Sequence, residues 1–280
     1  MSYKKILTIQ DLSCVGQCSL TVALPILSAC GLETCILPSA VLSTHTAGFS
    51  GFTFRDLTDD MPAIQEHWKK ENIKFKAIYT GYLGSIKQVG YVRDILKTMG
   101  TEDCVRVVDP AMADNGQLYK GFTPEFAAAM AKLCGKADII VPNLTEACFM
   151  LGIPYTTEYD EEYIRRVLKQ LTGLGAKRAA LTGISFDPNK LGSYAYDSTT
   201  DTYFCYYNDR MPVAYHGTGD IFASATLGAL MRDHSLDSAL SVAVDFTLEC
   251  IKLTMADENR RTYGVNFEEA LPYYIERLKK

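Results

Sequence analysis

Short apolar runs alternate with helical patterns along most of this 280-residue chain, and this alternation constrains the fold more than any other feature. The apolar runs span residues 4–9, 33–42, 75–83, 104–111, 137–143 and 177–183. Helical patterns lie at 17–31, 61–71, 85–100, 123–135, 144–152 and 160–175. Near-continuous apolar strands that alternate with helices are typical of parallel sheets covered on both faces. The sequence therefore predicts an α/β protein with a central, mostly parallel sheet.

The pattern changes in the last third of the chain. Residues 191–197 and 201–209 resemble two adjacent strands joined by a polar turn, which predicts a β-hairpin at the sheet edge. Three helical patterns follow at 220–232, 236–256 and 266–279. The sequence contains no Gly/Ser-rich or Pro-rich linker, so we predict one domain over residues 1–280.

Composition excludes several classes of function. A net charge of −5 provides no basic surface for nucleic acid and no polybasic patch for a membrane. The first ten residues lack the uninterrupted apolar region and small-residue cleavage site of a signal peptide, so we expect none, and no apolar run reaches about 18 residues. Most of the nine cysteines stand among apolar neighbours, where a reduced cysteine behaves as a small hydrophobic residue. We therefore expect a cytoplasmic protein that binds neither nucleic acid nor membrane.

Polar and glycine residues recur where the predicted strands end. Ligands of open α/β sheets bind beyond the carboxyl ends of the strands, so these positions predict one ligand-lined rim. They are Gln10-Asp11, 43–48, Gly81-Tyr82, Asp109-Pro110, 143–146 and Thr182-Gly183.

The stretch GTGD at 217–220 precedes an apolar helix and has two interpretations. Unpaired N–H groups at a helix start attract anions, and the two glycines allow a phosphate to approach the backbone closely. Asp220 would then accept a proton from an attacking hydroxyl. Alternatively, Thr218 or Asp220 simply caps the helix after a flexible turn. The common P-loop and GxGxxG patterns are absent, so any nucleotide is bound in another way.

Three further stretches offer polar groups. Asn143 and Glu146 share a helix face, which suits a hydrated Mg²⁺, although a capping arrangement with Asn143 or Thr145 explains them too. Asp109 follows a strand and is placed to reach a metal or to form a turn. The loop 41–52 suits a substrate lid and contains His45.

Taken together and in this order, these stretches resemble the ribokinase-like superfamily, and within it the pyridoxal/pyridoxamine (vitamin B6) kinases. The matching segments are KILTIQ, STHT, TGYLGS, VVDPAM, PNLTEA and GTGDIFAS. The resemblance implies a ribokinase-like fold and ATP-dependent phosphorylation of the 5′-hydroxymethyl group of a B6 vitamer. It also implies a homodimer that uses Mg²⁺, often together with a monovalent cation such as K⁺.

The resemblance also assigns roles to individual residues. Asp220 is the general base, and Gly217, Thr218 and Gly219 form the anion hole. Mg²⁺ is organised by Asp109 and Glu146, with Asn143. The residues implied to bind ATP are Asp109, Val141, Asn143, Glu146, Thr182, Cys205 and Asn208. The residues implied to bind the substrate are Asp11, Ser13, His45, Thr46 and Tyr82, with Asp220.

Two departures from the family pattern affect the substrate side. Asp11 stands where many pyridoxal kinases have serine, and Ala47 stands where glutamine is common. A carboxylate at position 11 can bind the protonated pyridine nitrogen, the 3-hydroxyl group or a cationic aminomethyl group, so we hypothesise a shift in preference toward pyridoxamine. Two other functions remain open, a hydroxymethylpyrimidine kinase of thiamine synthesis and a non-catalytic pyridoxal-phosphate carrier.

Overall fold

The computed structural model describes residues 4–46 and 48–279. Within these residues the chain forms eleven strands and nine helices. The strands are β1 (Lys5–Ser13), β2 (Glu33–Leu42), β3 (Phe54–Asp56), β4 (Phe75–Thr80), β5 (Gly100–Val108), β6 (Ala113–Asp114), β7 (Gln117–Leu118), β8 (Ile139–Ile140), β9 (Arg178–Ile184), β10 (Lys190–Asp197) and β11 (Thr202–Asp209). The helices are α1 (Leu20–Ala29), α2 (Met61–Lys70), α3 (Ile86–Thr98), α4 (Pro124–Cys134), α5 (Leu144–Leu151), α6 (Glu161–Gly173), α7 (Thr218–Met231), α8 (Leu236–Ala256) and α9 (Phe267–Arg277).

Nine of the described strands form one sheet in the order β11-β10-β9-β8-β5-β4-β1-β2-β3. The strands from β9 to β2 in this order pair in parallel. The antiparallel strands are β10 and β11 at one edge and β3 at the other. The predicted mostly parallel sheet and its edge hairpin are therefore confirmed.

Apolar side chains cover both faces of the sheet, as the near-continuous apolar strands predict. One face packs against α2 to α6, with Val92, Met130 and Leu168 fully buried. The other face packs against α1, α7, α8 and α9, with Ile26 and Leu227 fully buried. Burying each such side chain contributes roughly 1.5–3 kcal/mol to the free energy of folding, so both layers hold the strand ends in place. None of the described helices is both long and apolar enough to traverse a bilayer.

The apolar patterns did not predict three short strands. All three residues of β3 are exposed, so no apolar pattern marks this strand. β6 and β7 form a hairpin of two residues a side, with positive φ at Asn115 (50°) and Gly116 (76°). Asn-Gly is a typical hairpin turn sequence, and this dipeptide was the available signal for β6 and β7.

Candidate active site

The carboxyl ends of the central strands and the start of α7 meet around one cavity of about 130 Å³. Its lining residues are Asp109, Ala111, Tyr119, Val141, Asn143, Glu146, Thr182, Gly217, Gly219 and Asp220. All of them except Ala111 and Tyr119 are site residues predicted from the sequence. The fold thus brings together residues near the carboxyl ends of β5, β8 and β9 and at the starts of α5 and α7.

Gly217 holds the start of α7 in a conformation that only glycine adopts easily. It is the N-cap residue, with φ of 80°, and a Cβ atom there would lie 1.9 Å from the Gln17 carbonyl oxygen. Among the described residues no side chain caps this helix, and the Thr218 hydroxyl instead donates to the Tyr215 carbonyl (3.2 Å). The interpretation of Thr218 or Asp220 as the cap is therefore wrong, because glycine occupies that position.

Gly219 stands in the first turn of α7 and is exposed toward the cavity. A Cβ atom at this position would have no described atom within 4 Å. The first N–H groups of an α-helix have no partner within the helix, and the helix dipole places partial positive charge there. The start of α7 therefore offers room and hydrogen-bond donors to an anion.

Asp220 lies at the same helix start and contacts the segment that precedes α1. The Ser19 N–H donates to its Oδ2 (2.9 Å). Burial raises the pKa of Asp220 to about 7; the Ser19 N–H opposes this rise, and the nearby charge of Asp11 adds to it. A carboxyl group with this pKa gains and loses its proton near neutral pH, which suits a general base.

Asp109 follows β5 and is 7% exposed. Its Oδ1 accepts the Ala111 N–H (3.1 Å), and the backbone at Ala111 has φ of 38°, a value uncommon for a residue with a side chain. Burial raises the pKa of Asp109 well above its ordinary value, and the charges of Glu146 and Asp220 raise it further. Three acidic groups therefore act on one another across the cavity.

Glu146 and Asn143 form a capping box at the start of α5. The Glu146 N–H donates to Asn143 Oδ1 (2.9 Å), and the Asn143 N–H donates back to Glu146 Oε2 (2.9 Å). Glu146 Oε1 also accepts the Met112 N–H (2.9 Å), and Asn143 Nδ2 donates to the Ala113 carbonyl (2.8 Å). The capping alternative is thus confirmed with Asn143 at the N-cap. Both side chains also anchor the β6–β7 hairpin beside the cavity.

The acidic groups fit a hydrated divalent cation better than a metal held by protein alone. Within the described residues no group of three or more His, Cys, Asp or Glu is arranged to hold a metal ion. Burial raises the pKa of Glu146 to about 7, and Asp109 and Asp220 share its cavity. A cation between them would favour their charged forms. Mg²⁺ prefers oxygen ligands, keeps several waters and needs only one or two carboxylates, which suits this site.

Three predicted substrate residues are linked to one another, and one of them acts on Asp220. Asp11 is 6% exposed and accepts a hydrogen bond from the Ser13 hydroxyl (3.1 Å). The Tyr82 ring lies 5.5 Å from the Phe122 ring. Burial raises the pKa of the Tyr82 hydroxyl, and the charge of Asp11 raises it further. Asp11, Ser13 and Tyr82 are therefore neighbours, and Asp11 is close enough to act on Asp220.

The loop after β2 reaches the same region. The His45 N–H donates to the Val15 carbonyl (2.7 Å), and the His45 ring lies 5.6 Å from the His216 ring, next to Gly217. Thr46 is exposed. Ala47, the second departure from the family pattern, lies outside the described residues.

Two predicted ATP residues lie on β11, away from the cavity lining. Cys205 is exposed, and Asn208 Nδ2 donates to Asp245 Oδ1 on α8 (2.8 Å). The structure does not bring either residue to the cavity, and their contact with ATP stays a prediction.

Sequence reasoning missed Tyr119, which lines the cavity and is 44% exposed. Its N–H donates to the Met112 carbonyl (2.8 Å), which places the ring at the base of the β6–β7 hairpin. Burial and the charge of Glu146 raise the pKa of its hydroxyl. Nothing local in the sequence indicated this position, because it depends on how the hairpin folds back onto α5.

Comparisons with known proteins point to one family. The model of the family described as phosphomethylpyrimidine kinase matches residues 26–265. One similar structure is a Bacteroides thetaiotaomicron protein that was named provisionally as a phosphomethylpyrimidine kinase and crystallised with pyridoxal. It is 41% identical to this chain, with a TM-score of 0.93, and the match covers 98% of this chain and 96% of that one. Pyridoxal kinase from Lactobacillus plantarum is 31% identical with a TM-score of 0.91, over 98% of both chains. The Dictyostelium discoideum pyridoxal kinase is 27% identical over 82% of this chain and 79% of its own.

Proposed function

The chain belongs to the phosphomethylpyrimidine kinase family and has the ribokinase-like fold expected from its sequence, and we propose that it phosphorylates a B6 vitamer. The γ-phosphoryl group of ATP is transferred to the 5′-hydroxymethyl group of pyridoxal, pyridoxine or pyridoxamine. The observation that carries this proposal is the position of Asp220, which lies at the open start of α7 and close enough to Asp11 for the charge of Asp11 to act on it.

In the proposed mechanism Asp220 takes the proton as the vitamer hydroxyl attacks the γ-phosphorus. The N–H groups at 217–219 lie where negative charge spreads over the phosphoryl oxygens. Donors that are already oriented toward developing charge lower the barrier without further reorganisation. Asp11 and Tyr82 hold the vitamer ring, so the hydroxyl is presented to Asp220 in one orientation.

We propose that Mg²⁺ binds with ATP near Asp109 and Glu146. When bound, Mg²⁺ neutralises charge on the phosphates. Because each Glu146 oxygen already accepts an N–H, we expect Glu146 to reach the ion through water. The proposal of K⁺ as an accompanying ion rests on the family resemblance. Assays without Mg²⁺, and with K⁺ exchanged for Na⁺, test the two ions separately.

We further propose a cytoplasmic homodimer that binds small molecules rather than nucleic acid or membrane. The resemblance to vitamin B6 kinases supports the dimer, and the mild net charge of −5 supports the choice of partners. Light scattering on the purified protein measures its oligomeric state directly.

One experiment separates the proposed function from its two rivals. The family description names phosphomethylpyrimidine kinase, so hydroxymethylpyrimidine is the competing substrate. We expect Mg-ATP to be consumed with at least one of the three B6 vitamers faster than with hydroxymethylpyrimidine or ribose. Faster turnover of hydroxymethylpyrimidine would contradict the proposal. Binding of pyridoxal phosphate without any ATP consumption would support a carrier instead.

The pH profile provides a prediction about Asp220. The proposed base works only when ionised, and its pKa is raised to about 7. The rate constant kcat/KM for Mg-ATP reports the enzyme before the cation binds, so it should fall about tenfold per pH unit below about pH 7 and level off above it. An acid limb with its midpoint near pH 4, the ordinary value for an aspartate, would contradict this assignment. Initial rates between pH 5 and pH 9 measure the midpoint.

Asp11 provides a prediction about vitamer preference. Its carboxyl group is buried beside Ser13 and Tyr82, where it can pair with a cationic aminomethyl group. Asp11→Ser should lower the ratio of pyridoxamine to pyridoxal turnover, by roughly tenfold if one charge-assisted hydrogen bond is lost. An unchanged ratio would refute the idea that Asp11 selects pyridoxamine. Competition between the two vitamers in one reaction measures this ratio directly.

A further inference from the structure

Gln88 is a buried glutamine of α3 whose side chain is hydrogen-bonded to three neighbouring segments. It is 1% exposed, and its Oε1 accepts the Gly84 N–H (2.7 Å) between β4 and α3. Its Nε2 donates to the Ser39 carbonyl on β2 (2.9 Å) and to the Thr58 hydroxyl (2.8 Å), with Asp56 Oδ1 at 3.1 Å. Because the Gly84 N–H can only donate and the Ser39 carbonyl can only accept, the amide has one orientation.

Neither core packing nor helix formation explains a glutamine at this position. Glutamine is seldom fully buried, and the other buried residues of α3 are apolar, namely Val89, Val92, Ile95 and Leu96. Ser85 is the N-cap of α3, and in a capping box the glutamine three residues later accepts the N–H of the N-cap itself. Gln88 accepts the Gly84 N–H instead, and its Nε2 bonds all lie outside the helix.

The same bonds fix the backbone that carries Tyr82. The Ser39 hydroxyl donates to the Tyr82 carbonyl (3.2 Å), while Gln88 holds the Gly84 N–H. The segment 82–84 is thus held at both ends. A Cβ atom at Gly84 would lie 4.0 Å from Tyr82 Cε1, so the edge of the ring lies beside the Gly84 backbone. The orientation of the Tyr82 ring therefore depends on the position of Gly84.

Gln88 also reaches the loop after β2, which contains two predicted substrate residues. The ends of this loop are joined, because the Ser43 N–H donates to the Thr53 carbonyl (3.2 Å) and the Thr53 N–H donates to the Ser43 hydroxyl (2.9 Å). The loop continues into β3, which ends at Asp56, and Thr58 follows two residues later. Through Asp56 and Thr58, Gln88 joins the end of this loop to the Tyr82 segment.

We propose that Gln88 is a positioning residue that orients the Tyr82 ring toward the substrate and fixes it relative to the loop after β2. The inference rests on the proposed function, because it takes Tyr82 as a contact of the substrate ring. A segment that is already ordered binds its ligand without a further loss of conformational freedom. None of the four hydrogen-bonding partners of the Gln88 side chain lines the cavity around Asp220, so the effect should be confined to binding of the alcohol.

Gln88→Leu tests this role, because leucine fills a similar space without any of the hydrogen bonds. We expect the KM for the alcohol substrate to rise about tenfold, since the Gly84 N–H and the Ser39 carbonyl both lose their partner. The kcat and the KM for Mg-ATP should stay within about twofold of wild type, the pattern of a residue that affects binding alone. An unchanged KM for the alcohol would overturn the inference, as would a loss confined to kcat.

Two control variants separate this role from a loss of stability. Gln65→Leu removes another buried amide, which donates to Asp94 Oδ2 (2.6 Å) and the Thr98 hydroxyl (3.0 Å) between α2 and α3. Ser85→Ala removes the hydroxyl that accepts the Gln88 backbone N–H (3.3 Å) at the start of α3. Both should lower the Tm and keep the KM for the alcohol within about twofold of wild type. A rise in either control as large as in Gln88→Leu would overturn the inference.

Ser39→Ala is a smaller change that tests the other end of the segment. It removes only the hydroxyl that donates to the Tyr82 carbonyl, so the KM for the alcohol should rise about threefold with kcat unchanged. If Gln88→Leu does not fold, this variant decides the question. A KM equal to that of wild type would then overturn the inference.

A double-mutant cycle with Tyr82→Leu tests the link itself. In the Tyr82→Leu background, Gln88→Leu should raise the KM by less than about twofold, because the ring that it orients is gone. Independent, multiplicative increases would overturn the inference. The KM is measured for whichever alcohol the wild type phosphorylates fastest, and the Kd for pyridoxal phosphate replaces it if none is phosphorylated. A preference for hydroxymethylpyrimidine would therefore refute the proposed vitamer function while the Gln88 cycle still returns its own result.

Discussion

Asp220→Asn should lower kcat by roughly 10²–10⁴-fold while the protein stays folded. Asparagine has the same shape and keeps an oxygen that can accept the Ser19 N–H, so the contact at 2.9 Å is preserved. It has no basic oxygen to receive the proton of the vitamer hydroxyl. The measurement is single-turnover phosphorylation with saturating Mg-ATP and vitamer.

The effect of Asp220→Asn on stability has the opposite direction. The pKa of Asp220 is raised from 3.8 to about 7 in the folded protein, so ionisation above pH 7 costs stability. Between these two values the folded protein binds a proton that the unfolded chain does not, and stability falls as the pH rises. At pH 8 the neutral asparagine avoids this cost, and the Tm should be unchanged or higher.

Asp59→Asn is the control for this substitution. Its side chain is 89% exposed and forms a surface ion pair with Lys87. Such pairs contribute little, about 0–1 kcal/mol, so the variant should match wild type in rate and Tm. If Asp220→Asn retained kcat within tenfold of wild type, Asp220 would not be the base.

Gly217→Ala should abolish most activity and also destabilise the protein. An alanine Cβ would lie 1.9 Å from the Gln17 carbonyl, and the residue would keep φ of 80°. A strained backbone of this kind costs about 1–3 kcal/mol, and the clash forces the start of α7 to move. Loss of one oriented donor in a comparable anion hole costs 10²–10³-fold in kcat, so we expect a loss of at least about 100-fold.

Gly219→Ala separates the anion site from the fold. No described atom lies within 4 Å of the new Cβ, so the methyl group meets only the cavity. Alanine is also the better helix former, so the Tm should be unchanged or higher. If phosphate approaches here, kcat/KM for ATP should fall about tenfold. Wild-type activity in both glycine variants would contradict a phosphoryl site at the start of α7.

Several features of the fold and site were accessible from the sequence because their signals are local. The apolar runs of β1, β4 and β5 predicted the central strands, since side chains buried on both faces leave a continuous pattern. Glycine at 217 and the acid at 220 marked a helix start that is open to an anion. Asn143 and Glu146 carried a capping signature, which the structure confirms.

Other features had no local signal. Tyr119 reaches the cavity only because the β6–β7 hairpin docks on α5 through Glu146 and Asn143. The amide of Asn208, a predicted ATP contact that stays a prediction, donates to Asp245 on α8, a partner that its strand pattern did not indicate. A strand pattern shows that successive side chains point to opposite faces of the sheet, but it does not show which helix or loop packs against each face.

The sequence by itself determined the order of strands and helices and the chemistry available at their ends, because periodicity, glycine and capping residues act over a few positions. Only the tertiary structure decided which of those ends share a cavity. The contact between Ser19 and Asp220 joins residues 201 positions apart, and it forms because α1 and α7 pack side by side on the same face of the sheet. Such a contact depends on packing between distant elements, and no local pattern specifies it.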